Sequence, residues 1–257
     1  MTASMPGVEA VRALLHPAQL RETVSTSGGY LDVLAAGEAP AEPERHSFAY
    51  NAMHSQALAT VYERAWRPLA FTLATGLTTS TERRNAVADL HLSGEQRVLD
   101  VACGPGNFTH YLSERLSGDG VAVGFDISKP MLRRAVADNS GARVGYVRGD
   151  AGRLPFADNT FDAVCCFGAL YLMPDPFTAL DEMVRVLAPG GRIAIMTSYQ
   201  GDVSALRPAV RAGSGLIGLR VFGRDTIPDV FAGAGLTDVE QRLRRVVQYV
   251  NATKPQS

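Results

Sequence analysis

The pattern of apolar and polar positions changes texture near Arg97. Ahead of it the spacing is helical. Leu58, Val61, Tyr62, Ala65 and Trp66 recur at three- and four-residue steps, and Thr79 to Leu90 forms a second amphipathic stretch. From Arg97 onward, short β-rich runs alternate with helix-like segments. The runs are R-V-L-D-V (97–101), V-A-V-G-F-D (121–126), R-V-G-Y-V-R (143–148), D-A-V-C-C-F (162–167) and R-I-A-I-M-T (192–197). Between them lie the helix-like Asn107–Leu116, Lys129–Asp138 and Pro176–Leu187. Runs this uniformly apolar belong to strands covered on both faces, and the alternation predicts right-handed βαβ units around a parallel sheet. Residues 202–234 read as helical, with breaks at Gly213, Gly215 and Gly218. The segments 236–243 and 246–252 then predict two antiparallel strands joined by a short turn. Before all of this, helical patches are expected over Val8–Leu15 and Ala18–Leu34, the second interrupted by Gly28-Gly29. A Pro- and Ala-rich linker follows over 35–44.

The composition narrows the possible functions. Lys and Arg total 25 against 26 Asp and Glu, a balance that argues against a strongly basic nucleic-acid binder. Apolar residues make up 46% of the 257, enough for one sizeable core, and the length corresponds to roughly 1.7 average domains. Three cysteines without a C-x-x-C pair, Cys103, Cys165 and Cys166, speak against a disulfide framework or a cysteine zinc site. No metal site is expected. The start has no basic-then-apolar signal pattern, and no stretch approaches the ~18 apolar residues of a membrane span. The expectation is a cytoplasmic protein whose partner is a small molecule.

The strongest chemical signal is V-L-D-V-A-C-G-P-G-N-F (98–108), a buried strand running through a small-residue turn into a helix. Gly104 and Gly106 permit a tight turn and close approach of a ligand to the backbone. A phosphate-binding loop needs Gly-Lys-Ser/Thr after the glycines, which is missing. A nicotinamide loop needs a third glycine, and here Asn107, Phe108 and Thr109 follow Gly106. An adenosyl ligand without phosphates remains. Asp126 ends the next strand, placed to accept hydrogen bonds from ribose hydroxyls, and Asp150 ends the one after. Asp100, Asp126 and Asp150 therefore gather along one sheet edge, although any one of them alone reads as a turn or capping aspartate.

At these residues the chain resembles the class I S-adenosylmethionine-dependent methyltransferases, and within them the type 11 group similar to the ubiquinone and menaquinone C-methyltransferases. The resemblance is clear from about Arg97 to Thr197. It implies S-adenosyl-L-methionine as cofactor and a Rossmann-like doubly wound α/β fold. The expected sheet is seven-stranded and mostly parallel, with an antiparallel C-terminal hairpin and an N-terminal helical cap. By resemblance, Asp100, Ala102 and Gly104 shape the methionine pocket, with backbone groups near Cys103 and Gly104 facing the ligand. Ala102 stands where the family usually has glycine. Asp126 would hold the ribose, Ile127 and Met131 would flank the adenine, and Asp150 with Ala151 would meet its edge. Phe167 would line the ligand, and Tyr50, in F-A-Y-N-A-M-H-S (48–55), would close over its methionine end. L-A-P-G-G-R-I-A-I (187–195) matches a turn in which Pro189 ends a helix and Gly190-Gly191 reverse the chain.

Where many relatives carry a histidine base after the fourth strand, this chain has Ala169-Leu170-Tyr171-Leu172. Tyr171 is therefore a candidate to orient or deprotonate an acceptor, against the plainer reading of an aromatic wall. His54 is a second candidate base, because imidazole titrates near neutrality. His16, His91 and His110 read as surface residues, Cys165-Cys166 as two small residues facing opposite sides of a strand, and R-L-R-R (242–245) as a solvated strand end. The resulting organisation is an N-terminal extension over 1–46, read as a lid or mobile arm, a helical cap over 47–92, and the cofactor-binding domain over 93–257. The expected function is in-line methyl transfer to a small, partly apolar acceptor such as a quinone, lipid or secondary metabolite. The alternatives are a methyltransferase-fold protein using the cofactor as a scaffold for a non-methylating reaction such as cyclisation, and, less favoured, a nicotinamide-dependent oxidoreductase.

Overall fold

The computed structural model describes residues 6–20, 24–34, 76–201 and 220–256. Its centre is a sheet of eight strands in the order β1-β4-β3-β2-β5-β6-β8-β7. The strands are β1 (Leu31–Asp32), β2 (Arg97–Val101), β3 (Val121–Asp126), β4 (Val144–Arg148), β5 (Phe161–Phe167), β6 (Leu187–Ser198), β7 (Thr237–Arg244) and β8 (Val247–Thr253). All pair parallel except the two ladders made by β8, which runs antiparallel to both β6 and β7. Helices α1 (Pro6–Arg12), α2 (Thr79–Asp89), α3 (Asn107–Ser113), α4 (Lys129–Asp138), α5 (Pro176–Val186) and α6 (Thr226–Gly233) surround it. The strand order reverses between β2 and β5, and a crevice for ligands opens beyond the carboxyl ends at such a point.

Alternation along the strands builds two apolar layers. Leu99, Val123, Phe125, Val164, Cys166 and Ile195 face the larger layer, where Phe156 packs edge-on to Phe161 at a centroid distance of 4.8 Å. Val98, Ala122, Ala163, Cys165 and Ala194 face the other, under Leu90 and Leu112. The adjacent cysteines thus point to opposite sides, as the strand period requires, and both are free and fully buried.

The N-terminal segment departs from the expected helix over Ala18–Leu34. A single 3-10 turn covers Pro17–Gln19, the chain turns through Gly29 at φ 76°, and Leu31 then pairs in parallel with Val147. Burial outweighs helical periodicity here. Tyr30 and Leu31 are nearly or wholly buried against the β4 edge, and the resulting strand β1 makes the sheet eight-stranded rather than seven-stranded. α1 lies against β4, with Val11 fully buried. The turn after α5 also differs. The helix ends at Val186, three residues before Pro189; Leu187 already begins β6, and Gly190 turns at φ 78°. Proline disfavours helical backbone at the residue before it, and the Gly190 N–H donates to the Lys254 carbonyl at 2.7 Å.

Of the expected cap, only residues from Gly76 on belong to the described residues. Thr78 caps α2, accepting from the Thr81 N–H, and Ala86 turns inward. Glu82 accepts from the Tyr249 hydroxyl at 2.8 Å, and Asp89 pairs with Arg242 at 2.8 Å. Arg242 is therefore tied into the fold rather than solvated as a free strand end, and its guanidinium also lies 5.8 Å from the Tyr249 ring centroid.

Burial pushes the Cys166 thiol up to about 12, and it raises Cys165 and Cys103 well above the ordinary range, with nearby aspartates adding to the shift. A raised folded-state value means that the unfolded chain loses its proton first as pH rises. The stability these thiols provide is full below about pH 8.5 and falls above it. The free energy of urea unfolding is expected to drop between pH 8 and pH 10 by up to about 2 kcal/mol for each buried thiol. Cys166→Ala, though less stable at pH 8, is expected to show a shallower fall, and an unchanged slope would show that the thiols do not carry it.

Candidate functional site

Four chain turns meet beyond the carboxyl ends of β2, β3, β4 and β5. The first is Ala102–Gly106. Ala102 adopts φ 60°, Gly104 φ 56° and Gly106 φ 77°, so three positions in five residues are left-handed. Gly106 has no room for a side chain, since an added Cβ would collide with the Tyr146 hydroxyl. That hydroxyl donates to the Asn139 carbonyl at 2.7 Å, and the Asn139 amide donates in turn to the Pro105 carbonyl at 2.7 Å. The turn is thereby pinned from behind. Burial, followed by the charges near Cys103 and Asp100, pushes the Tyr146 phenol well up, so it remains a neutral donor.

In front, the turn is clipped to the end of β3. The Cys103 N–H donates to the Phe125 carbonyl at 3.1 Å, and the Gly104 N–H donates to Asp126 Oδ2 at 2.8 Å. Asp126 Oδ1 accepts from the Ser128 N–H, also at 2.8 Å. A carboxylate carries about four lone-pair sites, and one held in place by backbone N–H groups is the kind of acceptor that ribose hydroxyls donate to. Beside it, an added Cβ at Gly104 would meet no atom of the described residues within 4 Å, whereas one at Gly106 would collide with Tyr146. A nucleoside ligand with adjacent hydroxyls fits an open glycine face next to a buried carboxylate.

Asp100 is almost fully buried beneath the turn. Its Oδ2 accepts from the Thr109 hydroxyl at 2.6 Å, and its Oδ1 lies 3.7 Å from the Cys165 thiol. Its part is to tie β2 to α3 from below. Met131 is buried on α4 and Ile127 is half-buried in the turn before it. Asp150 is exposed; one carboxylate oxygen accepts from the Gly152 N–H at 2.9 Å, which rounds the turn that carries Ala151. Phe167 ends β5, edge-on to Phe108 at 5.2 Å, and adjoins a patch made by Met196, Val247 and Tyr249. Tyr171 sits half-buried in the 3-10 turn Leu170–Leu172 and its carbonyl accepts from the Arg220 N–H at 3.0 Å. Asp100, Ala102, Cys103, Gly104, Asp126, Ile127, Met131, Asp150, Ala151 and Phe167 thus all fall on or beside the four turns. Tyr50 and His54 lie outside the described residues.

Cys103 is buried at the centre of this region. Desolvation first, and then the charges of Asp126 and Asp100, push its thiol well up. It stays protonated at neutral pH and is a poor nucleophile beside an electrophilic ligand. Thr109, Asn139 and Tyr146 escaped the sequence reading because their partners are fixed by tertiary approach. Asn139 in particular reaches 34 residues back to Pro105. His110 also differs from a plain surface residue, since its Nδ1 is buried with no hydrogen-bond partner among the described residues.

Residues 98–191 match the model of a methyltransferase domain. Over 134 residues the chain is 40% identical to a demethylmenaquinone methyltransferase of Lactiplantibacillus plantarum, covering 49% of this chain and 55% of that protein. It is 31% identical over 182 residues to the Geobacillus sp. protein of the same name, covering 62% of this chain and 78% of that one. The chain therefore spans only about half the length of the first relative. Among solved structures, a phosphoethanolamine N-methyltransferase of Haemonchus contortus in complex with S-adenosyl-L-methionine shares the fold. Its TM-score is 0.59 at 19% identity, covering 67% of this chain and 53% of that one. A methyltransferase-like protein of Bacillus halodurans does so with a TM-score of 0.58 at 20% identity, over 68% of this chain and all of that one. The chain belongs to the class I S-adenosylmethionine-dependent methyltransferases. Their cofactor, S-adenosylmethionine, is the adenosyl ligand anticipated from the glycine turn and its neighbouring acids.

Ala102 is the one left-handed residue of the turn that is not glycine. An L-residue pays about 1–2 kcal/mol in that region, while glycine loses up to about 1 kcal/mol through the freedom of its unfolded chain. Ala102→Gly is expected to stabilise the protein by up to about 1 kcal/mol in urea unfolding. A loss of stability would mean that the alanine methyl makes packing contacts worth more than the strain.

Proposed function

We propose that the protein transfers the methyl group of S-adenosylmethionine to a small, partly apolar acceptor of the quinone, lipid or secondary-metabolite kind, working in the cytoplasm. The observation that carries the cofactor half of this reading is the open face of Gly104 beside the buried Asp126 carboxylate. The acceptor half is supported by the apolar wall of Phe108, Phe167, Met196 and Tyr249 next to the cofactor turn, and by the names of the curated relatives. Those names also favour methyl transfer over use of the cofactor as an inert scaffold. No helix among the described residues is long and apolar enough to cross a membrane.

When bound, S-adenosylmethionine supplies a methyl group on a positively charged sulfur, activated for in-line displacement. The chain's own part is to bind, orient and exclude water. Asp126 holds the ribose hydroxyls, Ile127 and Met131 flank the adenine, and Asp150 with the Ala151 N–H meets its edge. Ala102, Cys103 and Gly104 leave backbone room for the methionine end, and Asp100 shapes that pocket from below. Phe167 lines the bound ligand. Tyr171, on the turn after β5, orients the acceptor through its hydroxyl. Tyr50 and His54 remain candidates for closing over the cofactor and for accepting a proton.

Purified protein incubated with methyl-labelled S-adenosylmethionine and a demethylated prenyl naphthoquinone is expected to give labelled quinone and S-adenosylhomocysteine. Absence of cofactor binding by titration calorimetry would sink the reading. Tyr171→Phe is expected to lower kcat by about tenfold or more while leaving cofactor affinity unchanged. An unaltered kcat would reduce Tyr171 to a wall of the cavity.

A further inference from the structure

β1 does more than widen the sheet. It ends beside two of the turns that would hold the adenosine half of the cofactor, and it touches both. Toward the first, Asp32 receives Arg148 Nη1 at 3.1 Å and 3.2 Å on its two carboxylate oxygens. The same guanidinium donates through Nε to the Ile127 carbonyl at 3.0 Å. Ile127 directly follows Asp126 and precedes Ser128, whose N–H holds the Asp126 carboxylate. Toward the second turn, the Val33 N–H donates to the Arg148 carbonyl at 3.0 Å. The Val33 side chain closes over Gly149, so that a methyl group added there would meet Phe125 and come within 3.2 Å of Val33. Gly149 leads straight into Asp150.

The pair is sheltered: the side chains of Arg148 and Asp32 are only 13% and 18% exposed. Lys129 Nζ lies 3.9 Å from Asp32 as a further positive charge, and the Leu34 N–H also reaches the Asp32 carboxylate at 3.3 Å. A guanidinium held through Nη1 on a carboxylate and through Nε on a carbonyl is anchored at two points, so the first contact limits where the second can lie. Removing the carboxylate leaves a sheltered guanidinium without its partner, free to swing away from Ile127.

We infer that Asp32 is a positioning residue of the cofactor site: through Arg148 it sets the Asp126–Ser128 turn at the angle that receives the ribose, and β1 as a whole fixes the spacing between the ribose and adenine turns. The inference rests on the reading of these turns as the adenosine site. It makes β1, through Asp32, part of the cofactor machinery.

The test uses the full chain and titration calorimetry with S-adenosylmethionine, S-adenosylhomocysteine and adenosine. Asp32→Asn is expected to weaken all three by the same factor, about tenfold, because the brace acts on the half they share. It is expected to raise the cofactor KM while leaving kcat within about twofold. Asp32→Glu, which keeps the charge, is expected to recover most of the affinity. Unchanged affinity in folded Asp32→Asn overturns the proposal. So does a loss of thermal stability with no loss of binding, which assigns Asp32 to the fold alone. If Asp32→Asn does not fold, Arg148→Lys, which keeps the charge but loses the Nε donor to the Ile127 carbonyl, decides: weaker binding of the three ligands at unchanged kcat supports the brace, and wild-type affinity or failure to fold overturns it. A wild-type protein that binds none of the ligands instead removes the underlying reading of the site.

Discussion

The hydrogen bond from the Gly104 N–H to the Asp126 carboxylate is the constraint from which the site takes its form. It joins the turn after one central strand to the end of the next, and it exists only because Gly104 adopts a left-handed backbone. That backbone needs support from behind, which comes from the chain of Tyr146, Asn139 and Pro105, and from below, which comes from Asp100 and Thr109. Each supporting group is buried, so each must be paired, and the pairs converge on one turn. A buried acid at the end of β3 is costly to hold unless backbone N–H groups face it. Two such groups, from Gly104 and Ser128, do so at equal distance.

The same logic explains the thiols. Cys103, Cys165 and Cys166 are all buried within reach of the Asp100 charge, in the apolar layers on the two faces of the sheet, where a second negative charge is disfavoured twice over, by burial and by the acid. Serine there would demand hydrogen bonds that the layer has few acceptors to provide. Cysteine fills the same volume as a weakly polar group and stays inert beside an alkylating cofactor.

How much of this was legible in the sequence follows from the range of each interaction. The strand V-L-D-V and the glycines after it announce themselves because turn and strand chemistry are local. The helix Lys129–Asp138 was bounded to the residue, since Ser128 and Pro130 mark its start. The extra strand was invisible: two residues, Leu31 and Asp32, are too short to show a period, and the helical spacing around them pointed the other way. The pair Asp32 and Arg148 is separated by 116 residues and leaves no mark on either local sequence. Asp150 and Asp126 were found by position at strand ends, but the geometry that distinguishes a buried, doubly bonded acid from an exposed, turn-rounding one belongs to the fold. For Tyr50 and His54, which lie outside the described residues, the sequence remains the only guide.

The strand order has a consequence for how the chain assembles as it is made. β7 precedes β8 in the sequence, yet it touches the rest of the sheet only through β8, which inserts between it and β6. Until β8 emerges, β6 presents a bare edge of backbone donors and acceptors, and β7 has no strand to join. The half of the sheet carrying the cofactor turns has all of its partners long before that. Synthesis therefore yields first a nearly complete binding half with one sticky margin, and closure of that margin waits for Val247–Thr253. A cell making this protein must keep that edge from pairing with a neighbouring copy for the time it takes to add about fifty residues.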